Sequence, residues 1–238
     1  MRRCLFSSVC APVTATVAAR RYSRICEDHP VGELSSLGFL LGSSWASGIN
    51  LYLTVAGLGI AQRMEWIQLP GNLEVLGHPL VIAVAVILCL IEFVADKVPY
   101  VDSTWDAAHT FIRPVGGLTL GYMAMNGADP SIQMATALVT GTVAFNSHIT
   151  KATARAAINT SPEPITNSVA SVTEDVSVIG VLYLISTHPV IAGILVVIFI
   201  IFSVWFLKVM FRFVKKIFSR KPPEPVSKVV SESKDIGN

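Results

Sequence analysis

Acidic and basic side chains crowd into one short stretch of an otherwise apolar chain. The stretch reads EFVADKVPYVDSTWDAAHTFIRP, and its ionisable residues are Glu92, Asp96, Lys97, Asp102, Asp106, His109 and Arg113. Carboxylates, imidazole and guanidinium together can bind a polar or ionic solute, hold a metal, or pair as structural ions. Apolar runs flank the stretch, PLVIAVAVILCLI before it and GGLTLGYMAM after it. It is therefore either a charged loop in water or one wall of a polar site inside a membrane protein.

Helical spacing places these side chains, and others further along, on shared faces. Residues three or four apart are neighbours on a helix surface. Asp102, Asp106, His109 and Arg113 follow that spacing, and so do His148, Lys151, Arg155 and Asn159. We therefore predict an internal polar site or substrate pathway built from the following residues: Asn50, Glu92, Asp96, Asp102, Asp106, His109, Arg113, Lys151, Arg155, Glu163, Asn167, Glu174 and Asp175.

The composition indicates that helices in a lipid bilayer carry these residues. Only 14% of the chain is charged and 52% is apolar, whereas soluble domains are about a quarter charged. Apolar runs of about 20 residues predict membrane-spanning helices, not the short alternating segments of a barrel. We predict an all-α bundle of about six spans with kinked or broken helices, at residues 34–62, 79–98, 103–126, 132–159, 165–187 and 189–213.

Glycine and proline predict where these spans bend. Gly48 could divide the long first span into two half-helices, and Pro114 with Gly116 and Gly117 predicts a kink in the third. Basic residues cluster after the sixth span, which favours a cytoplasmic C-terminus. An even number of spans then also places the N-terminus in the cytoplasm.

The two ends of the chain differ from the spans in composition. Residues 1–33 begin with an arginine- and serine-rich segment that lacks acids before Glu27. We interpret them as a disordered extension or as the product of a mis-assigned start, with an organellar transit peptide as the alternative. Residues 214–238 read as a basic and then disordered cytoplasmic tail, because they are rich in Pro, Ser, Lys and Glu.

Each polar feature also has a purely structural interpretation. Asp102 could be a helix N-cap, and Ser103 with Asp106 matches a capping box. His109 could be a hydrogen-bonded packing residue. The two basic residues of the fourth span could extend to the headgroups. Glu174 and its acidic neighbour are the hardest to explain in this way, because they lie ten residues into an apolar span.

Sequence motifs for catalysis and cofactors are weak or missing. Asp102, Asp106 and His109 could ligate a divalent metal, but Arg113 next to them disfavours a cation and no second Glu-x-x-His occurs. The chain has no G-x-S-x-G, no H-E-x-x-H and no P-loop. The four cysteines show no metal or disulfide pattern. We therefore predict no catalytic residue, no bound metal and no cofactor.

Three segments of the chain resemble an uncharacterised bacterial inner-membrane family catalogued as domain of unknown function 4126. They are EFVADKVPYVDSTWDAAHTFIRP, INTSPEPITNS and EDV. The resemblance covers roughly residues 34–207. It implies a multi-pass protein of the bacterial inner membrane. It implies no catalytic role, because the family has no established activity.

These observations favour a transporter or channel for a small polar or ionic solute, with its charged site in the cytoplasmic half of the membrane. A membrane scaffold or assembly factor held together by buried ion pairs is the alternative, and a membrane-embedded enzyme is the third possibility. The expected surroundings are the lipid bilayer and the solute. No nucleic acid is expected as a partner, and the oligomeric state stays open.

Overall fold

Proline begins most of the helices in this protein. A computed structural model describes residues 30–159 and 164–218. Pro79, Pro99 and Pro189 each stand at the first helical position, where the missing N–H costs nothing. Within the described residues the helices are α1 (Pro30–Ile49), α2 (Leu51–Arg63), the 3-10 helix Gly71–Gly77, α3 (Pro79–Ala95), α4 (Pro99–Ala124), α5 (Pro130–Asn159), α6 (Pro164–Thr187) and α7 (Pro189–Phe218). These residues contain no strand, which confirms the all-α prediction.

The bundle is apolar outside and polar inside. Large apolar side chains are exposed along the outer faces of the helices, among them Leu80, Ile87, Leu90, Phe111, Val115, Val169, Val176, Ile198 and Ile201. Charged and polar side chains are buried in the interior, including both arginines of α4 and α5. A protein in water would not expose so much contiguous apolar surface. The distribution fits a protein whose surroundings are lipid.

Two helices in the described residues are long and apolar enough to cross a membrane, Ile165–Thr187 and Pro189–Lys216. The 3-10 helix Gly71–Gly77 and α3 meet at an angle of 72°, and together they could form a third span. Within residues 30–159 and 164–218 the protein is therefore helical, with two to three candidate spans by length and composition. The predicted number of six is not established by this criterion.

Helix α1 is the central element of the bundle, and it ends inside the protein. It packs against α4, α5, α6 and α7, while α2 continues the chain after a break. The break lies at Asn50, whose backbone is extended (φ −146°, ψ 99°). The Asn50 side-chain oxygen accepts a hydrogen bond of 2.9 Å from the Leu53 N–H and so caps α2. The first predicted span is thus divided, as expected. The break lies at Asn50, two residues after the predicted position at Gly48.

One end of the bundle is closed by apolar side chains. Leu69, Leu73 and Leu76, from the connection between α2 and α3, are buried in a cluster with Leu58 and Leu120. Gly71 lies in the left-handed region (φ 58°), and a Cβ there would collide with the carbonyl groups at the end of α4. The 3-10 helix therefore fits closely over the end of α4. We call the buried cluster of Leu58, Leu69, Leu73, Leu76 and Leu120 the apolar layer.

The beginning of α4 corrects one interpretation of the acidic residues. The third span was predicted from residue 103, but the helix begins at Pro99 and Val98 is its N-cap. The Asp102 N–H already bonds the Val98 carbonyl, at 2.8 Å. Asp102 is therefore not an N-cap, and Ser103 with Asp106 is not a capping box. The helix also continues through Pro114.

The predicted terminal segments fall largely outside the described residues. Of the predicted extension, residues 30–33 belong to α1. Of the predicted tail, residues 214–218 belong to α7. The remaining parts, 1–29 and 219–238, lie outside what the structure describes.

Close packing of α1 on α5 at Gly48 generates a stability prediction. A Cβ at Gly48 would collide with the Ala144 carbonyl and the Ser147 hydroxyl, whereas a Cβ at Gly180 meets nothing within 4 Å. We expect Gly48→Ala to lower the free energy of unfolding by about 1–3 kcal/mol, the usual cost of overpacking. Gly180→Ala should change it by no more than about 0.5 kcal/mol. Thermal unfolding in detergent measures both, and equal effects would contradict the packing of α1 on α5.

Candidate functional site

Side chains from four helices and from the break at Asn50 meet in one buried group. We call this group the polar cluster: Asn50, Glu92, Asp96, Asp102, Asp106, Arg113, His148, Lys151, Arg155, Asn167, Glu174 and Asp175. All of them are buried except Glu174 and Asp175, which are half-buried. The structure thus brings together the predicted site residues on α3, α4, α5 and α6. His109 lies elsewhere, and Glu163 falls outside the described residues.

Arg155 joins α5 to α3 and α6. Its guanidinium makes a two-pronged bond to the Glu174 carboxylate, with N···O distances of 2.9 and 2.8 Å. It also donates to the Asn167 side-chain oxygen at 2.8 Å and to the Asp96 backbone carbonyl at 3.2 Å. Asn167 donates in turn to that same Asp96 carbonyl, at 2.9 Å. Because Arg155 is 1% exposed, it does not extend to the headgroups.

Lys151 lies among three carboxylates and a backbone carbonyl. Its ammonium is 3.0 Å from Asp96, 3.3 Å from Glu174 and 3.7 Å from Glu92. It also donates to the Ile49 carbonyl at 3.3 Å. Lys151 is therefore also an internal cation, and the headgroup interpretation is wrong for both basic residues of α5. Its contacts tie α5 to α3, α6 and the end of α1.

Arg113 determines which ring nitrogen of His148 carries hydrogen. Its guanidinium forms an ion pair with Glu92, in which both side chains are fully buried. It also lies 2.9 Å from Nδ1 of His148. Guanidinium groups only donate, so Nδ1 must accept and the ring must be neutral. The other nitrogen, Nε2, then donates to the Thr110 hydroxyl at 3.1 Å, and Thr110 donates to the Asp106 backbone carbonyl.

Two cations of the polar cluster satisfy the broken end of α1. The last carbonyls of a helix have no partner within the helix and carry partial negative charge. Arg113 donates to the Gly48 carbonyl at 3.3 Å, and Lys151 donates to Ile49. On the other side of the break, the Asn50 amide donates to the Asp175 carboxylate at 3.0 Å. The charged cluster is thus built around the break.

The acids of the polar cluster outnumber its cations. Its six carboxylates are Glu92, Asp96, Asp102, Asp106, Glu174 and Asp175, and its three cations are Arg113, Lys151 and Arg155. Several carboxylate oxygens in the described residues accept no hydrogen bond, including both oxygens of Asp106. Buried charge without a partner is costly. The arrangement can therefore accept additional positive charge.

His109 turns away from the charged residues. Its Nδ1 bonds the Trp105 carbonyl at 2.8 Å, so this nitrogen carries the hydrogen and Nε2 of a neutral ring accepts from the Tyr52 hydroxyl at 3.1 Å. The ring also stacks on Trp105, with centroids 4.6 Å apart. This geometry matches the packing interpretation of His109. Within the described residues, no group of three or more His, Cys, Asp or Glu side chains could hold a metal ion.

Four residues that bond predicted site residues were not themselves among them. His148 was detectable from the sequence, because its spacing places it on the same helix face as Lys151 and Arg155. Thr110 and Tyr52 gave no signal, since hydroxyl-bearing side chains in apolar helices commonly serve packing. Asn159, also on the α5 stripe, donates to the Asp102 carboxylate at 3.1 Å.

The pairing of Arg155 with Glu174 generates a second prediction. Removing one partner of a buried pair costs about 3–5 kcal/mol, so Arg155→Met should strongly lower the free energy of unfolding. Glu174→Gln in the same chain should recover part of the loss, giving a coupling of about 1–3 kcal/mol. Asp129→Asn, at an exposed position, is the control second change and should be additive with Arg155→Met. Additive losses for Arg155 with Glu174 would refute the pairing.

Comparison with known proteins yields one match. The family model described as Domain of unknown function (DUF4126) matches residues 37–209, which contain every residue of the polar cluster and of the apolar layer. No curated protein and no solved structure matches the chain. The match confirms the resemblance carried by the sequence motifs. Because it covers well over half of the chain, the protein belongs to the family described as Domain of unknown function (DUF4126).

Proposed function

We propose that the protein is a membrane transporter or channel for a small polar or ionic solute. The observation that carries the proposal is the polar cluster at the break of α1, inside a bundle with an apolar surface. Broken helices whose ends meet buried charges are a recurring device of transporters, where they form solute and ion sites at mid-membrane. A polar solute crossing the bilayer needs such a set of partners.

The charges of the polar cluster favour a cationic solute or a solute with several hydrogen-bond donors. The cluster has six carboxylates and three cations, and unpaired oxygens remain on Glu92, Asp96, Asp102 and Asp106. A solute that carries positive charge, or N–H and O–H donors, would offset the excess negative charge and bond the unpaired oxygens. Anions would meet carboxylates at short range and would be repelled.

The proposed topology has six spans with both termini in the cytoplasm of a bacterium. Helices α1 with α2, α4 and α5 complete the count, although their composition is less apolar. Their polar side chains lower the mean hydropathy, but those side chains lie in the interior, where they do not meet lipid. Lys208, Arg212, Lys215 and Lys216 near the end of α7 favour a cytoplasmic C-terminus.

The apolar layer would close the pathway on the far side of the membrane from the C-terminus. It contains Leu58, Leu73 and Leu120, and it lies at the end of the bundle near the 3-10 helix. The polar cluster lies beyond it, toward the end where α3 meets α4. Two carboxylates of the polar cluster, Glu174 and Asp175, are half-buried, and 18% of the Glu174 side chain is accessible. Solute would therefore reach the polar cluster from the cytoplasmic side in this conformation.

A scaffold or assembly factor is the second candidate. It is favoured by the dense pairing of Lys151 and Arg155, which ties α3, α5 and α6 together. In a scaffold these bonds would serve stability alone. Transport requires in addition that a solute crosses.

Solute flux into proteoliposomes tests the proposal. The panel contains inorganic cations, small organic amines, neutral polar metabolites and anions. We expect uptake of at least one cationic or neutral polar solute, and we expect Asp175→Asn to reduce it by about tenfold or more, equivalent to about 1.4 kcal/mol. Asp175 is a suitable target because its bonding partner is Asn50 at the break. Asp129→Asn is the control. No uptake of any class would favour the scaffold.

Labelling of introduced cysteines tests the topology. Position 129 lies between α4 and α5, and position 225 follows α7. In a chain without its native cysteines, a membrane-impermeant thiol reagent should reach Asp129→Cys and Pro225→Cys from opposite sides. Labelling of both from one side would contradict the six-span arrangement.

A further inference from the structure

Asp106 is a buried carboxylate without a hydrogen-bond donor. It is 4% exposed, and neither of its oxygens accepts a hydrogen bond. The nearest cationic group is Arg113, at 3.4 Å from Oδ1. Asp102 lies one turn earlier on α4 and is fully buried, and its Oδ1 also lacks a donor. Side chains four apart on a helix are direct neighbours, so two poorly satisfied carboxylates share one small space.

The cations near Asp106 direct their hydrogen bonds to other groups. On its own helix, Arg113 donates to Gly48 and His148 and pairs with Glu92. From α5, Lys151 bonds Asp96 and the Ile49 carbonyl.

The remaining neighbours add no positive charge to Asp106. Arg155 of α5 bonds Glu174 of α6, and neutral His148 bonds Thr110. From α3 the groups that face this region are the carboxylates of Glu92 and Asp96, each of which carries an unpaired oxygen. Apart from the Arg113 guanidinium at 3.4 Å, no described cation compensates Asp106 and no donor bonds its oxygens, so a hydrogen-bonding partner for them must come from outside the protein.

A proton is the cation that the space around Asp106 and Asp102 can accept. It needs no cavity and no set of ligands, and the described residues offer no group of three or more side chains for a metal ion. The Asn159 amide and the Arg113 guanidinium also present N–H groups here, which repel metal ions. On protonation, one Asp106 oxygen forms an O–H bond with a proton taken from water, and the carboxylate loses its negative charge.

We propose that Asp106, with Asp102 beside it, is a proton-binding site, and that proton uptake and release there accompany movement of the solute. The second half of this proposal rests on the function proposed above. Asp102 lies beside exposed residues at the beginning of α4. There the Asn159 amide donates to Asp102 and to the exposed Ser103 hydroxyl, at 3.1 and 3.0 Å.

Infrared difference spectroscopy tests the proton site without a solute. Spectra of the lipid-reconstituted full chain, recorded between acid and alkaline pH, should contain a protonated-carboxyl C=O band that disappears as pH rises. The band should shift with ¹³C-labelled aspartate and should be lost in Asp106→Asn. It should persist in Asp129→Asn, because hydrogen bonds from the Ser131 backbone hold the pKa of exposed Asp129 below its ordinary range.

Two results would overturn the proton site. One is a wild-type spectrum without an aspartate-derived band of this kind, which needs no variant to fold. The other is a band that persists in folded Asp106→Asn. Flux is measured separately, so the two proposals fail independently. A titrating band without any solute uptake keeps the proton site and removes transport, whereas uptake without the band removes the proton site alone.

Discussion

The end of helix α1 inside the bundle is the constraint on which the rest of the structure depends. A helix that stops inside a packed bundle leaves carbonyl groups that need donors from the protein itself. Arg113 and Lys151 supply the missing donors at Gly48 and Ile49. Cations buried in this way require acids, and Glu92 and Asp96 provide them from α3. The break, the cations and the acids therefore form one unit, and removing any part takes a bonding partner from another.

The same unit holds the helices in a single arrangement. Lipid is as apolar as the outer faces of the helices, so apolar burial alone does little to choose between alternative packings. The polar cluster joins α3, α4, α5 and α6 to the break by directional bonds, while the apolar layer closes the other end. The polar cluster contains more carboxylates than are needed to pair its cations. Asp106, whose side chain gains no hydrogen bond from the fold, is the residue that a purely structural role explains least.

Spacing in the sequence predicted much of this, because it reports which side chains share a helix face. The stripes on α4 and α5 and the Glu174–Asp175 pair were found in this way, and the helix bounds lay within a few residues of those predicted. Spacing does not show which face of one helix packs against which face of another. The partnership of Glu92 with Arg113, the two-pronged bond of Arg155 to Glu174, and the turning of His109 toward Tyr52 depend on how whole helices pack. The break at Asn50 was expected at Gly48, because glycine commonly weakens helices, yet a side chain that can cap α2 decided the position.

A high-resolution structure of the full chain in lipid nanodiscs tests the central claim most directly. The claim is that cations of the protein itself satisfy the broken end of α1 inside the bundle. We expect a break at Asn50, with the Lys151 ammonium and the Arg113 guanidinium within hydrogen-bonding distance of the Ile49 and Gly48 carbonyls. A continuous first helix, or basic side chains that point to headgroups or water, would contradict the claim.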